Sequence, residues 1–245
     1  DPLYPSLALV GIYFISSVSR YRQTEREHRW IRQAFSSYVS RNLVEHLIKH
    51  PEQLKLGGER RDCTFVLTDL AGFTGLVERS DPASIIGLLN EYLEEMMAIA
   101  FRHDGTLDKI VGDAVAIMFS APVTQPDHAA RGVACAIEMD AFAKGFSQRK
   151  NAAGIPLGNT RIGVNSGNVI VGNVGGSAVF DYRPLGDAIN TASRLESLNK
   201  HLGTRVCVAG ETVAQCADFI GRPAGRMQLK GKRDAIMVYE ALTAA

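Results

Sequence analysis

An α+β sandwich is the fold this 245-residue chain predicts, and three observations carry it. Strand-like and helix-like stretches mix along the chain, and several strand-like pairs are separated only by turns of hairpin length. A doubly wound sheet would instead put a helix after nearly every strand. Hydrophobic residues make up 46% and charged residues 22%, a globular balance that excludes disorder, collagen and low complexity. Lys and Arg number 27 against 26 Asp and Glu, for a net charge of +1. No nucleic acid is expected as a partner, because such binders carry a broad basic field; any phosphate chemistry belongs to a local site. Cys63, Cys135, Cys207 and Cys216 show neither a CxxC pair nor zinc spacing and read as reduced thiols.

The chain opens Asp1-Pro2 rather than with Met, so a fragment of a longer protein is expected. Leu3 to Ser19 carries no charge, and RYRQTEREHRWIR then brings Arg20, Arg22, Arg26, Arg29 and Arg32. That run sits at the short end of the about 17–25 residues a spanning helix needs. Arginines on its C-terminal flank fit the cytoplasmic side of a membrane, with Tyr4, Tyr13 and Tyr21 as interfacial residues. A secretory signal would carry its charges first. Residues 1–20 are therefore expected to be the end of a membrane anchor, the alternative being a buried helix of a soluble domain. Ile31, Phe35, Tyr38, Val39, Leu43, Val44 and Leu47 follow near helical spacing. Residues 21–59 thus read as an amphipathic linker helix, pairing with a copy of itself or packing on its own domain. Pro51 and Gly57-Gly58 end that region.

Residues 60–245 are one domain by length. Strands are expected at 63–69, 107–111, 114–119, 161–167, 168–174, 204–210 and 236–242, short apolar runs rich in β-branched residues. Helices are expected at 82–103, 128–146 and 187–202, where apolar residues recur every three or four positions.

Asp69 ends an apolar strand, where a carboxylate is costly unless it meets a cation or hydrogen-bond donors. Gly72-Phe73-Thr74 follows and can expose main-chain amides to an anion at the start of a helix. A strand-end Asp capping that helix would look the same. Asp113 lies in the Gly112-Asp113 turn of LDKIVGDAVAIMF, which is also ordinary hairpin chemistry. If that hairpin lies beside strand 63–69, the two carboxylates converge and need cations between them; magnesium, with its phosphates, suits such oxygens. Asn190 and Arg194, four apart in DAINTASRLE, share one helix face, with Ser193 and Glu196 on others. An amide beside a permanent cation suits a developing phosphoryl charge, or else is a cap and a surface Arg. SGNVIVGNVGGS lacks the Walker lysine and a following helix, and fits a glycine-permitted strand pair better.

In this order FVLTDLAGFT, LDKIVGDAVAIMF, TRIGVNSGNVIVGNVG, LGDAINTASRLE and LKGK resemble the class III nucleotide cyclases, over about 60–242. The N-terminal part resembles the last membrane helix and linker of bacterial receptor-type adenylate cyclases. The resemblance implies a ferredoxin-like catalytic domain preceded by a membrane and linker helix, on the inner membrane with the catalytic domain in the cytoplasm and a sensor upstream. It implies a homodimer sharing two sites across its interface. Asp69, Asp113 and the Leu70 carbonyl match the ligands of two Mg²⁺ or Mn²⁺ ions, and Gly72, Phe73 and Thr74 the turn that cradles the triphosphate. Arg161 and Lys230 match phosphate-contacting basic residues. Asn190 and Arg194 match the transition-state pair, given by the opposite subunit from the aspartates. Lys109 matches the purine-selecting lysine of adenylate cyclases. The second purine-selecting position, commonly Asp or Thr, falls on Arg183, which cannot accept a hydrogen bond. Arginine suits guanine, yet a guanylate cyclase would carry an acceptor at 109, so ATP is the expected substrate, with Asp181 or a carbonyl as the missing acceptor. A catalytically silent regulatory module would have lost one of Asp69, Asp113, Asn190 or Arg194, and all four stand. A dinucleotide-forming cyclase would show a GGDEF-like turn, which the sequence lacks.

Overall fold

The computed structural model describes residues 13, 14, 16 and 17, 56–176 and 180–242. Its first strand, β1 (Gly57–Leu70), pairs antiparallel with β4 (Thr160–Gly175) along its whole length, from Gly57↔Asn173 to Leu70↔Thr160. The hairpin β2 (Thr106–Val111) and β3 (Ala114–Phe119) joins the other edge of β1. The order is completed as β2-β3-β1-β4-β6-β8-β7, with β6 (Val206–Ala209) parallel to β4 and β8 (Ile236–Ala241) and β7 (Gly221–Met227) antiparallel beyond it. A further strand, β5 (Phe180–Leu185), pairs with the outer half of β4.

The two-residue alternation of β1 sorts its side chains between two layers. Val66 and Leu70 face the larger core, made with α2 (Pro82–Arg102) and α3 (His128–Ala152), which packs Leu88, Tyr92, Met96, Ile99, Met139 and Phe146. Cys63 and Phe65 face the opposite side, where Ala188 and Ala192 of α4 (Asp187–Leu202) cover them. Helix α2 starts where its sequence dictates: Asp81 accepts the Ser84 amide at 3.0 Å and Pro82 occupies the first turn. Helix α4 ends at Gly203, whose φ of 68° closes the last turn. It lies so close to β4 that a Cβ at Gly163 would stand 2.0 Å from the Ala192 carbonyl. Only glycine permits that approach.

Several boundaries differ from expectation. The strands read at 161–167 and 168–174 are one 16-residue strand, because β1 continues unbroken opposite the Ser166-Gly167-Asn168 stretch. That gives the glycine-rich run its strand identity. Strand β1 begins at Gly57, before the domain start placed at 60, since the β4 ladder extends it backwards. Helix α3 runs on past 146 to Ala152. The helix expected to start at Gly72-Phe73-Thr74 is the short α1 (Phe73–Arg79), whereas the short helix α5 (Gly210–Val213) and strands β5 and β7 carry no matching expectation. Strand β7, GRPAGRM, has no strand propensity to read; it forms at an edge, where Pro is tolerated and β8 supplies the ladder. The four cysteines are free thiols, and burial pushes Cys63 and Cys135 up to about 12.

Of the apolar N-terminal run only 13, 14, 16 and 17 are described, as helix. The membrane anchor expected at 1–20 otherwise lies outside the described residues, as does nearly all of the 21–59 linker. No helix among the described residues is long and apolar enough to cross a membrane.

Candidate active site

The register of β1 against β4 sets Asp69 directly opposite Arg161, on the face that α4 covers, and the two side chains form an ion pair. From α4, Glu196 reaches the same guanidinium, with its Oε1 3.2 Å from Arg161 Nε. The contact is electrostatic: neither that nitrogen nor that oxygen completes a well-angled hydrogen bond. The side chain of Glu196 is only 10% exposed, against 35% for Asp69. Its carboxyl is pushed up by burial, with Asp69 adding repulsion, and is drawn back by Ser197 and Arg161.

Asp113 arrives from the β2–β3 turn. Gly112 takes φ 61°, which a residue without a Cβ adopts freely, and this closes the hairpin in two residues. Asp113 Oδ2 then accepts the Leu70 amide at 2.7 Å, pinning the hairpin tip to the end of β1. Burial pushes its carboxyl up, the Leu70 amide pulls it down, and Asp69 raises it again. Below this end of β1 the hydroxyls of Tyr92 and Thr160 are bonded at 3.0 Å, and burial keeps the phenol neutral.

Three carboxylates therefore face one guanidinium, and two of them are held above their ordinary range by burial. A divalent ion would relieve that excess. The donors fit a hard cation: Asp69, Asp113 and the Leu70 carbonyl offer only oxygen. Among the described residues no group of three His, Cys, Asp or Glu side chains is arranged to hold a metal ion by itself. Gly72 takes φ 78° at the start of α1, turning the chain so that the first-turn amides, from Phe73 and Thr74 onward, have no intrahelical acceptor. Phe73 itself is buried and anchors the turn.

The remaining residues form a second group. Asn190 and Arg194 share one side of α4, and Glu196 stands about 200° around the helix from Arg194. The helix thus shows its buried side to Asp69 and Arg161 and turns Asn190 and Arg194 outward. Within one chain the pair and the aspartates face apart. Lys230 is exposed on the turn that follows β7, next to Arg194: a Cβ on Gly231 would lie 3.4 Å from an Arg194 nitrogen. Arg161 and Lys230, both matched to phosphate contacts, consequently sit in different groups. Lys109 is exposed on β2; Arg183, on β5, is 3.9 Å from Asp181. Burial raises the carboxyl of Asp108, which Lys109 and Arg183 lower and Asp181 raises. Glu196 is the residue that sequence reasoning left on an idle helix face. Its position two residues beyond Arg194, on the buried side, was the available signal.

The sequence profile of the adenylate and guanylate cyclase catalytic domain matches residues 58–241. Adenylate cyclase 1 of Rhizobium meliloti is 35% identical over 212 residues, covering 85% of this chain and 31% of that protein. An adenylate cyclase of Anabaena cylindrica is 31% identical, covering 77% of this chain and 38% of its own length. The chain thus spans about a third of the length of these relatives. Among solved structures, adenylyl cyclase CyaB from P. aeruginosa superposes with a TM-score of 0.71 at 34% identity, covering 78% of this chain and 98% of that one. Guanylyl cyclase Cya2 gives 0.68 at 32% identity, covering 76% and 94%.

Proposed function

Because the chain belongs to the class III nucleotide cyclases, the adenylate and guanylate cyclase catalytic domain family, we propose that it converts ATP into 3′,5′-cyclic AMP and pyrophosphate. The observation that carries this is the convergence of Asp69 and Asp113, the second carboxylate bonded to the Leu70 amide beside the first. Two ions, Mg²⁺ or Mn²⁺, held by Asp69, Asp113 and the Leu70 carbonyl would supply the charge that acidifies the 3′-hydroxyl and steadies the departing pyrophosphate. The 3′-oxygen loses its proton and bonds to the α-phosphorus in line as the bond to the β-phosphate oxygen breaks. The first-turn amides at Gly72, Phe73 and Thr74 cradle the triphosphate. Arg161 moves from Asp69 to the phosphates, and Glu196 keeps its guanidinium within reach.

Asn190 and Arg194 come from a second copy of the chain, since α4 turns them away from the Asp69 group. Arg194 stabilises the pentavalent charge, and Lys230 reaches the phosphates from the same copy. The catalytic unit is therefore a homodimer. Lys109 reads the adenine ring, with Asp181 or a carbonyl as the acceptor that Arg183 cannot be. A second reading, GTP, is favoured by Arg183 alone. The arginine-flanked apolar run supports a further placement, on the inner membrane with the catalytic domain in the cytoplasm and a sensor upstream. Fractionation of the longer protein tests it: recovery in the soluble fraction would remove it.

The test of the chemistry is product identification from ATP and from GTP with Mg²⁺ or Mn²⁺. Cyclic AMP is expected, and Asp69→Ala should abolish it. Wild-type dimer that forms no cyclic nucleotide with either metal would falsify the reading.

A further inference from the structure

Lys232 has no part in the chemistry described above, yet its ammonium lies 2.5 Å from Asp187 Oδ2. The other oxygen of Asp187 stands 3.5 Å from Arg194 Nη1. One carboxylate thus bridges the turn that carries Lys230 and the guanidinium assigned to the transition state. Each partner is built into place. Asp187 sits in the first turn of α4, where the helix end favours negative charge, and Thr191 Oγ1 donates to its carbonyl at 3.0 Å. The turn is closed by the Lys232 amide donating to the Leu229 carbonyl at 3.0 Å, and Gln228 Nε2 donates to the Lys232 carbonyl at 2.6 Å. Leu229 is buried, and Gly231 takes φ 76°, the left-handed value that the third position of a type II turn requires. Lys230 precedes that glycine, exposed at the tip.

We propose that the Asp187–Lys232 pair is a latch that fixes the Lys230 turn against Arg194, making both residues positioning residues of the nucleotide site. The proposal rests on the cyclase reading above and deepens it. Two cations must meet one triphosphate from the same copy, and their spacing is set by this bridge. The alternative is a pair that merely stabilises the fold. Side-chain exposures of 29% for Lys232 and 55% for Asp187 argue against it, because ion pairs this open to solvent add little stability. A loss of function without a loss of stability is therefore the signature.

The experiment compares the whole chain with Lys232→Met, Asp187→Asn, the double variant and Lys232→Arg. It measures kcat and KM for ATP, melting temperature, and affinity for a fluorescent ATP analogue. Lys232→Met is expected to raise KM and to lower kcat by about fivefold each, with melting within about 2 °C of wild type. The double variant should lose no more than the worse single, because the two residues act as one unit. Lys232→Arg, keeping the charge, should restore most of the rate. Unchanged kcat and KM in Lys232→Met, losses that multiply in the double variant, or losses that follow a fall in melting temperature would each overturn the latch. If wild type binds the analogue but forms no cyclic AMP, the cyclase reading falls by itself. The latch then stands on an about fivefold weaker analogue affinity in Lys232→Met, and equal affinity removes it. Wild type that does neither overturns both.

Discussion

Mixing two inactive variants should restore activity. Helix α4 turns Asn190 and Arg194 away from the side on which Glu196, Arg161 and Asp69 meet, and on the proposed dimeric reading a complete site then needs two copies. Asp69→Ala removes a carboxylate from one half, and Arg194→Ala removes the transition-state cation from the other. Losing one preorganised donor at a developing charge costs about 10²–10³-fold in rate, or about 3–4 kcal/mol. Each variant alone should therefore retain about 1% of activity or less. Random pairing of equal amounts makes about half of the dimers mixed, and each mixed dimer holds one intact site and one doubly damaged site. The mixture should reach about a quarter of wild-type specific activity, at least ~25-fold above either parent. The assay is cyclic AMP formation after co-refolding or co-expression, with two different affinity tags proving that mixed dimers exist. Verified mixed dimers at background activity would show that each chain builds its site alone, and the outward orientation of Arg194 would then have no catalytic meaning.

Three further outcomes follow from particular residues. Lys109→Glu replaces a donor with an acceptor at the purine position and should shift the kcat/KM ratio from ATP towards GTP by about 10-fold or more, read as cyclic AMP against cyclic GMP. Gly163→Ala would drive a Cβ to 2.0 Å from the Ala192 carbonyl and 2.3 Å from the Glu196 nitrogen, so α4 must lift. A loss of about 1–3 kcal/mol or more is expected by denaturant unfolding, whereas Gly87→Ala, on open helix surface, should be neutral or gain about 0.5–1 kcal/mol. His128 is buried, with Nδ1 2.7 Å from Thr64 Oγ1, and burial holds its imidazole below its ordinary 6.5. The unfolded chain then takes the proton first, so this residue's contribution is present above 6.5 and fades as pH falls from there towards the folded value. Stability curves between about pH 7 and about pH 5 should be flatter in His128→Gln; equal slopes would remove His128 as the cause.

Much of the site was legible because its chemistry is local in the chain. Asp69 ends a strand, Asp113 sits in a two-residue turn, and Asn190 and Arg194 are one helical turn apart; each is a short-range pattern that the period of a strand or helix exposes. The same locality located α2 and α4, whose apolar residues recur every three or four positions. The missed elements lack such signals. GRPAGRM becomes β7 only because β8 offers it a ladder, and the two readings on either side of Gly167 merge because β1 spans both.

By itself, then, the sequence located the candidate residues Asp69, Asp113, Asn190 and Arg194 and the α+β alternation that holds them, since both follow from neighbours along the chain. The tertiary structure decided everything that depends on residues distant in sequence. It placed Glu196 against Arg161, Asp113 on the Leu70 amide, and Asp187 between Arg194 and Lys232. It also decided that α4 divides the site into two halves facing opposite ways. Such contacts are set by how strands register and how closely a helix approaches a glycine in the sheet, and neither quantity is written in any local pattern.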